Sequence, residues 1–162
     1  MRKILLLLLL VLPFFGHAQD PKDILNRITM VQSIVNNQGG QMVFRQTKEW
    51  CTDFLNFSEE QYTKTDELFD AQYDDLELVY KKYEISQTPD NLLSLISLMV
   101  KQEQYFRQSL SPDQLELYFD KFATVTDNKS EKNKAFKTLF ISNELMAEYL
   151  DQLKEKGDLG SR

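Results

Sequence analysis

Apolar residues recur along most of this chain at intervals of three and four, a spacing that places them on one face of an α-helix. Sustained alternation of apolar and polar residues, the pattern typical of strands, is hard to find. The chain is therefore predicted to be all-α, with about five to six helices. Short loops between the helices favour antiparallel packing, either in a bundle or in an elongated stack of hairpins.

Prolines mark several of the predicted helix starts. Each of three prolines follows a residue that caps helices well, in the pairs Asp20-Pro21, Thr88-Pro89 and Ser111-Pro112. Proline is favoured at the first helical position because its missing N–H is not needed there. Together with the apolar stripes, these starts predict helices over 21–35, after Thr88 and after Ser111, a long helix from Ser58, and a last helix over about 130–156 that stops at Gly157.

Two of the stripes have a second interpretation. Residues 41–56 either form a helix or begin in an extended form at 42–44; the helical stripe would run through Val43, Thr47, Trp50, Cys51 and Phe54. The stripe on the long helix from Ser58 comprises Tyr62, Phe69, Tyr73, Leu76, Tyr80 and Tyr83. We expect its aromatic members in the core, with a groove for client proteins as the alternative.

The N-terminus has the pattern of a secretory signal peptide. Two basic residues precede an unbroken apolar run over 4–15, and small residues close it at Gly16 and Ala18. The pattern predicts a signal peptide over 1–18, cut between Ala18 and Gln19, and one all-helical domain over 19–162. Twelve apolar residues extend about 18 Å as a helix, too short for a hydrocarbon core of roughly 30 Å. We therefore expect an exported, periplasmic protein with no membrane span in the mature chain.

Export would remove the only histidine of the chain, His17. Without histidine the mature chain cannot build a Ser-His-Asp or Cys-His nucleophile pair, and it lacks the imidazole that most zinc sites use. No Gly-rich phosphate loop is present, and an exported protein has no supply of ATP. The sequence predicts a protein that is not an enzyme and has no cofactor and no metal site.

Cys51 is the only cysteine, so a disulfide within the chain is impossible. A buried thiol beside Trp50 and Phe54 is the main interpretation, because free cysteine behaves as a small apolar residue. An intermolecular disulfide across a dimer and a catalytic thiol are the alternatives.

Acidic residues dominate the mature chain and are concentrated in one region. Loss of Arg2 and Lys3 leaves 17 basic against 25 acidic residues, a net charge of −8, and residues 53–90 alone hold eleven acidic and three basic side chains. This balance argues against nucleic-acid binding. A row of four carboxylates spaced by four, four and three residues is expected to be a solvated helix face; the alternatives are a surface that attracts a basic partner, a divalent-cation site or an acid/base pair. The row comprises Asp66, Asp70, Asp74 and Glu77.

Two segments repeat one pattern 53 positions apart, an apolar residue followed by Ser, two further residues and Gln. The pattern predicts a capping box, in which the Ser side chain accepts from the N3 backbone N–H and the Gln side chain accepts from the cap N–H. The apolar residue before each Ser can pack on the fourth helical residue as a hydrophobic staple. The motif residues are Phe57, Ser58 and Gln61 in the first copy and Leu110, Ser111 and Gln114 in the second.

The paired motifs resemble the Leu-Thr-x-x-Gln motifs of the exported helical proteins of the Spy/CpxP group. Both copies have Ser where that group prefers Thr, and the first has Phe where it prefers Leu, exchanges that keep the capping chemistry. The resemblance covers about residues 50–124. It implies a curved, cradle-like homodimer that holds unfolded or membrane-bound envelope proteins as clients without ATP, or that acts in an envelope-stress response.

The leading functional hypothesis is thus an exported, ATP-independent, chaperone-like or envelope-stress protein that holds unfolded clients. The first alternative is a specific helical binding or assembly protein that recognises one partner through its acidic face and has no chaperone activity. The second is an enzyme that uses the carboxylate row.

Overall fold

The computed structural model describes residues 21–125 and 130–155, with the side chains of the first helix described from Asn26 onward. These residues contain no strand, so the all-α prediction is confirmed. The predicted signal peptide, its cleavage position at Ala18 and Gln19, and Gly157 lie outside the described residues. The helices are α1 (Pro21–Val35), α2 (Gly40–Thr52), α3 (Glu59–Ile85), α4 (Pro89–Gln108), α5 (Pro112–Thr124), α6 (Glu131–Leu139) and α7 (Asn143–Glu155), and a 3-10 turn (Asp53–Leu55) continues α2.

Helices α2, α3 and α4 pack side by side and form the centre of the fold. α2 runs antiparallel to α3, since Gln41 at its start reaches Asp74 while Arg45, one turn later, reaches Asp70. α3 and α4 form a hairpin around a three-residue loop over 86–88. α1 and α6 pack on α2, and α7 packs on α4.

Two clusters of buried side chains make up the core. The larger one joins α1 to α3, α4 and α7 and includes most of the predicted aromatic stripe, with Tyr73, Tyr80 and Tyr83 between 3% and 6% exposed. Phe69 of the same stripe belongs to the second cluster, in which the ring of Tyr118 contacts five other rings. The core interpretation of the stripe is confirmed, and the alternative of a client groove along it is wrong. Tyr62 is the exception, because it is exposed and packs edge-on against Phe57 as the predicted staple.

The predicted stripe on α2 is confirmed at Cys51 and wrong at Trp50, because the buried face is rotated slightly from the predicted one. The residues that face the core are Phe44, Lys48 and Cys51, whereas the ring of Trp50 is 47% exposed. Gly40 explains the rotation: a side chain there would collide with the carbonyl of Ile34 and the hydroxyl of Tyr73. Because α2 begins in such close contact with α1 and α3, packing at its first residue sets which face is buried.

The single helix predicted over 130–156 is wrong, because the chain leaves the helix between α6 and α7. Ser142 starts α7 as its N-cap, with its hydroxyl accepting from the N–H of Leu145 at 3.3 Å. The backbone of Ile141, one residue earlier, bonds to side chains of α4: its N–H donates to Glu103 and its carbonyl accepts from Arg107. Polar side chains from a distant helix thus replace the hydrogen bonds that a continuous helix would make here.

Both capping boxes are present. Ser58 and Ser111 each accept from the N–H three residues later, and Gln61 and Gln114 each reach back to the cap N–H. The two glutamine side chains also hydrogen-bond to each other, at 2.8 and 3.1 Å, although 53 residues separate them. Gln114 donates in addition to the carbonyl of Leu55 in the 3-10 turn. The amide pair therefore ties the starts of α3 and α5 together.

Replacement of Ser111 by alanine is expected to lower the free energy of unfolding by about 1 kcal/mol through loss of the cap. Gln114→Ala should lower it by about 2 kcal/mol, because the buried Gln114 amide also bonds Leu55 and Gln61. Urea denaturation of these variants, of Gln61→Ala and of the double glutamine variant gives the coupling between the two amides. Strictly additive effects of the two glutamines would mean that the amide pair contributes nothing.

Candidate functional site

The acidic row of α3 lies along α2 and is not a free face. Arg45 of α2 forms an ion pair with Asp70 at 2.8 Å, and Gln41 donates to Asp74 at 3.2 Å. Glu77 pairs with Lys81, one turn later on the same helix. Asp74 is the exposed member of the four, and the others are half-buried. Asp66 faces Glu49 of α2, whose pKa is raised first by burial and then by the Asp66 charge. The row is therefore a partly solvated face: Asp70 and Glu77 keep a third of their side chains exposed, and α2 covers the rest near Asp66 and Asp70.

Cys51 lies in the aromatic cluster with no exposed surface. Its thiol donates to the backbone carbonyl of Lys132 at 3.8 Å, and burial raises its pKa to about 12. Such a thiol is not a nucleophile at neutral pH, and an intermolecular disulfide has no access to it in this fold. The interpretation of Cys51 as a buried structural thiol is confirmed.

A carboxylate holds three elements together in the core next to the aromatic cluster. Glu103 of α4 is 4% exposed, and one of its oxygens accepts from the Tyr118 hydroxyl at 2.6 Å and from Arg107 Nε at 2.8 Å. Its other oxygen accepts from the N–H of Ile141 at 3.3 Å. Burial and the Glu103 charge together raise the pKa of Tyr118 well above its usual value, so Tyr118 is a hydrogen-bond donor throughout the physiological range. The role of this group is structural.

Lys48 is a buried cation that the sequence analysis missed. Its Nζ donates to Gln72 at 2.5 Å and lies 4.7 to 5.1 Å from the ring centroids of Phe44, Phe69 and Phe140. Burial lowers its pKa to about 8, against a smaller opposing effect of Glu103. The four-residue spacing from Phe44 was the available signal, because it places this lysine on the apolar face of α2.

The lowered pKa of Lys48 predicts a specific pH dependence. Between pH 8 and 10.5 the unfolded chain binds the Lys48 proton more tightly than the folded chain does, so this lysine favours the fold increasingly as pH rises. Relative to the Lys48→Met variant, the wild-type free energy of unfolding should therefore increase by about 2 kcal/mol from pH 7 to pH 10.

Urea denaturation of both proteins at each pH measures this change. The high pKa of Cys51 acts on stability in the opposite direction above pH 9, and most of this effect cancels in the comparison, because its main cause is burial and Lys48 is a minor one. Lys101→Met, at an exposed position on α4, is the matched control and should show a difference that does not vary with pH. A constant difference for Lys48→Met would contradict the lowered pKa.

An open groove of about 1010 Å³ lies along the outer side of α6. Its walls come from α1, from the end of α2, from α5 and from the start of α7. The large apolar side chains of the lining that are half-buried or exposed are Met30, Trp50, Phe119, Phe122 and Leu145. Trp50, the only tryptophan of the chain, is the most exposed of the five. Exposed and half-exposed apolar side chains in a concave surface mark a binding site for other apolar groups.

Two cations of the groove have no carboxylate partner among the described residues. Arg27 is 5% exposed and donates to three backbone carbonyls, those of Lys137, Thr138 and Phe140, at 2.8 Å each. Its Nε is buried and makes no hydrogen bond with the described residues. Lys137 lines the groove beside it and forms no ion pair within 21–125 or 130–155. This end of the groove therefore presents the unpaired Lys137 ammonium, with the Arg27 charge buried behind it, in a chain that is acidic overall.

The carboxylates of the groove are already engaged. Glu131 pairs with Lys134 at 2.7 Å. Glu144 sits in the first turn of α7, where its own backbone N–H and the Ser142 side chain lower its pKa. Among the described residues neither carboxylate forms an ion pair with Lys137, so the charge of Lys137 remains available to a ligand, whereas the buried Arg27 is occupied by its three carbonyls.

The chain matches no protein-family model, no curated protein and no solved structure. Within the described helices, none combines the length and the apolar character that a membrane crossing needs. The same residues bring no three His, Cys, Asp or Glu side chains together as ligands for a metal ion.

Proposed function

We propose that this protein is an exported, ATP-independent, chaperone-like protein of the periplasm that holds unfolded envelope proteins in the groove along α6. The groove carries the proposal, because it is open and presents Trp50 and four half-buried apolar side chains to solvent. An unfolded client offers apolar segments to such a surface and leaves it once the segments are buried in its own core.

The sequence supports the same proposal from a second direction. The pattern over 1–18 is that of a signal peptide, and the two capping boxes resemble the motifs of the Spy/CpxP group. A homodimer and a part in envelope stress follow from that resemblance as further elements of the proposal. The specific partner of the acidic face is less favoured, because α2 engages Asp70 and Asp74 and leaves little of the row to a partner.

Aggregation of two unrelated unfolded proteins, followed by light scattering without ATP, tests the proposal. The chain from Gln19 onward should suppress the aggregation of both at near-stoichiometric ratios. Trp50→Glu places a charge in the groove and should abolish the suppression, since a buried unpaired charge opposes apolar binding.

Tyr105→Glu is the matched control, because Tyr105 is an exposed aromatic residue of α4 that does not line the groove. This variant should suppress aggregation as well as the wild type does. Equal activity of both variants would move the binding surface elsewhere, and no suppression by the wild type would contradict the chaperone function itself.

A further inference from the structure

The groove joins an apolar end to a positive end along a single short helix. Lys132, in the first turn of α6, holds its Nζ 5.7 Å from the Trp50 ring, so Trp50 lies at that end. Arg27 and Lys137 lie at the last turn, where Arg27 binds the final carbonyls. Five positions along the helix separate Lys132 from Lys137, a rise of roughly 7.5 Å.

We propose that the groove selects acidic amphipathic segments, helical stretches that place a bulky apolar side chain against Trp50 and a carboxylate near Lys137. The inference rests on the proposed function and names the class of client. One to two helical turns span about 5 to 11 Å, so an apolar residue and a Glu or Asp four or seven positions apart on one face of a client helix bracket this separation. Charge complementarity selects the acidic partner, because Lys137 lines the groove and has no carboxylate of its own among the described residues.

The negative charge of α3 adds to the preference of the groove for acidic segments. Residues 53–90 carry a net charge of −8, which repels an acidic segment from α3 and leaves the groove as the favourable surface for it. A basic segment would experience the opposite field, with attraction to α3 and repulsion at Lys137.

Two helical peptides of about 14 residues test the selection, identical in their leucine and phenylalanine face and carrying either Glu or Lys on the polar flank. The fluorescence of Trp50, the only tryptophan, reports binding in the groove directly. At low salt the Glu peptide should bind about five- to tenfold more tightly than the Lys peptide. Lys137→Glu should remove or reverse this preference, whereas Lys101→Glu, with the same change of net charge outside the groove, should keep it.

Each outcome decides a separate point. Equal binding of the two peptides, with a change in Trp50 fluorescence, would overturn the acidic selection and leave the proposed function in place. If neither peptide changes the fluorescence, both the selection and the groove as the client site fail. Fluorescence that changes with protein concentration alone would identify a second copy of this chain as the occupant and would also overturn the selection.

Discussion

Glu103→Ala should lower the free energy of unfolding by about 4 kcal/mol, the largest effect that we expect for a single polar substitution in this protein. The substitution leaves three donors without their acceptor: the Tyr118 hydroxyl, Arg107 Nε and the N–H of Ile141. All three lie in or beside the core, and a buried donor that loses its partner is not restored by water. Urea denaturation at pH 7 measures the loss.

Glu60→Ala is the matched control. Glu60 also forms an ion pair with a basic residue four positions away: its Oε1 lies 2.6 Å from Lys64 Nζ. That pair is fully exposed. The control should leave the denaturation midpoint unchanged, since exposed ion pairs of this kind are screened by solvent. A loss below about 1 kcal/mol for Glu103→Ala would mean that water reaches the break between α6 and α7 and replaces the carboxylate.

Arg27→Met should lower the free energy of unfolding by about 3 kcal/mol while keeping most of the apolar volume of the side chain. The arginine supplies donors to three carbonyls at the end of α6, which have no intrahelical partner of their own. The positive charge also stabilises the negative end of the helix dipole. Hydrogen exchange should show faster exchange in α6 and α7 than in the α3–α4 hairpin of the variant.

Arg45→Met provides the comparison for this substitution. Arg45 pairs with Glu49 and Asp70, but a third of its side chain is exposed, and the loss should stay below about 1 kcal/mol. Equal losses for the two arginines would show that the carbonyl contacts of Arg27 add nothing to an ordinary ion pair.

The sequence predicts those helices whose first residues are fixed by hydrogen bonds between neighbours in the chain. Ser58, Thr88 and Ser111 each cap a helix as predicted, because a cap depends on the four or five residues that follow it. The break after Phe140 has a local signal too, in Ser142, but its other cause is the contact of Ile141 with Glu103 and Arg107 more than thirty positions earlier. The spacing of apolar residues along 130–156 does not depend on that contact and therefore cannot predict it.

The candidate site is less predictable than the fold for the same reason. The carboxylate row of α3 is visible in the sequence, yet its partner Arg45 comes from a helix whose rotation depends on Gly40. The groove joins Arg27 to Lys137, which are 110 positions apart and carry no shared motif. Spacing alone predicts Trp50 in the core, and its exposure follows only from the packing of α2.

The amide pair of Gln61 and Gln114 couples the two copies of the motif, so substitutions in one copy depend on the residue in the other. Each amide is both donor and acceptor for the other, so a substitution of one leaves its partner with an unmatched group near Leu55. A change at either position is then tolerated best when the other changes with it, for example to two apolar residues of similar size. In relatives of this chain we expect the two glutamines to co-vary, present together or replaced together, even where the capping serines are exchanged for threonine.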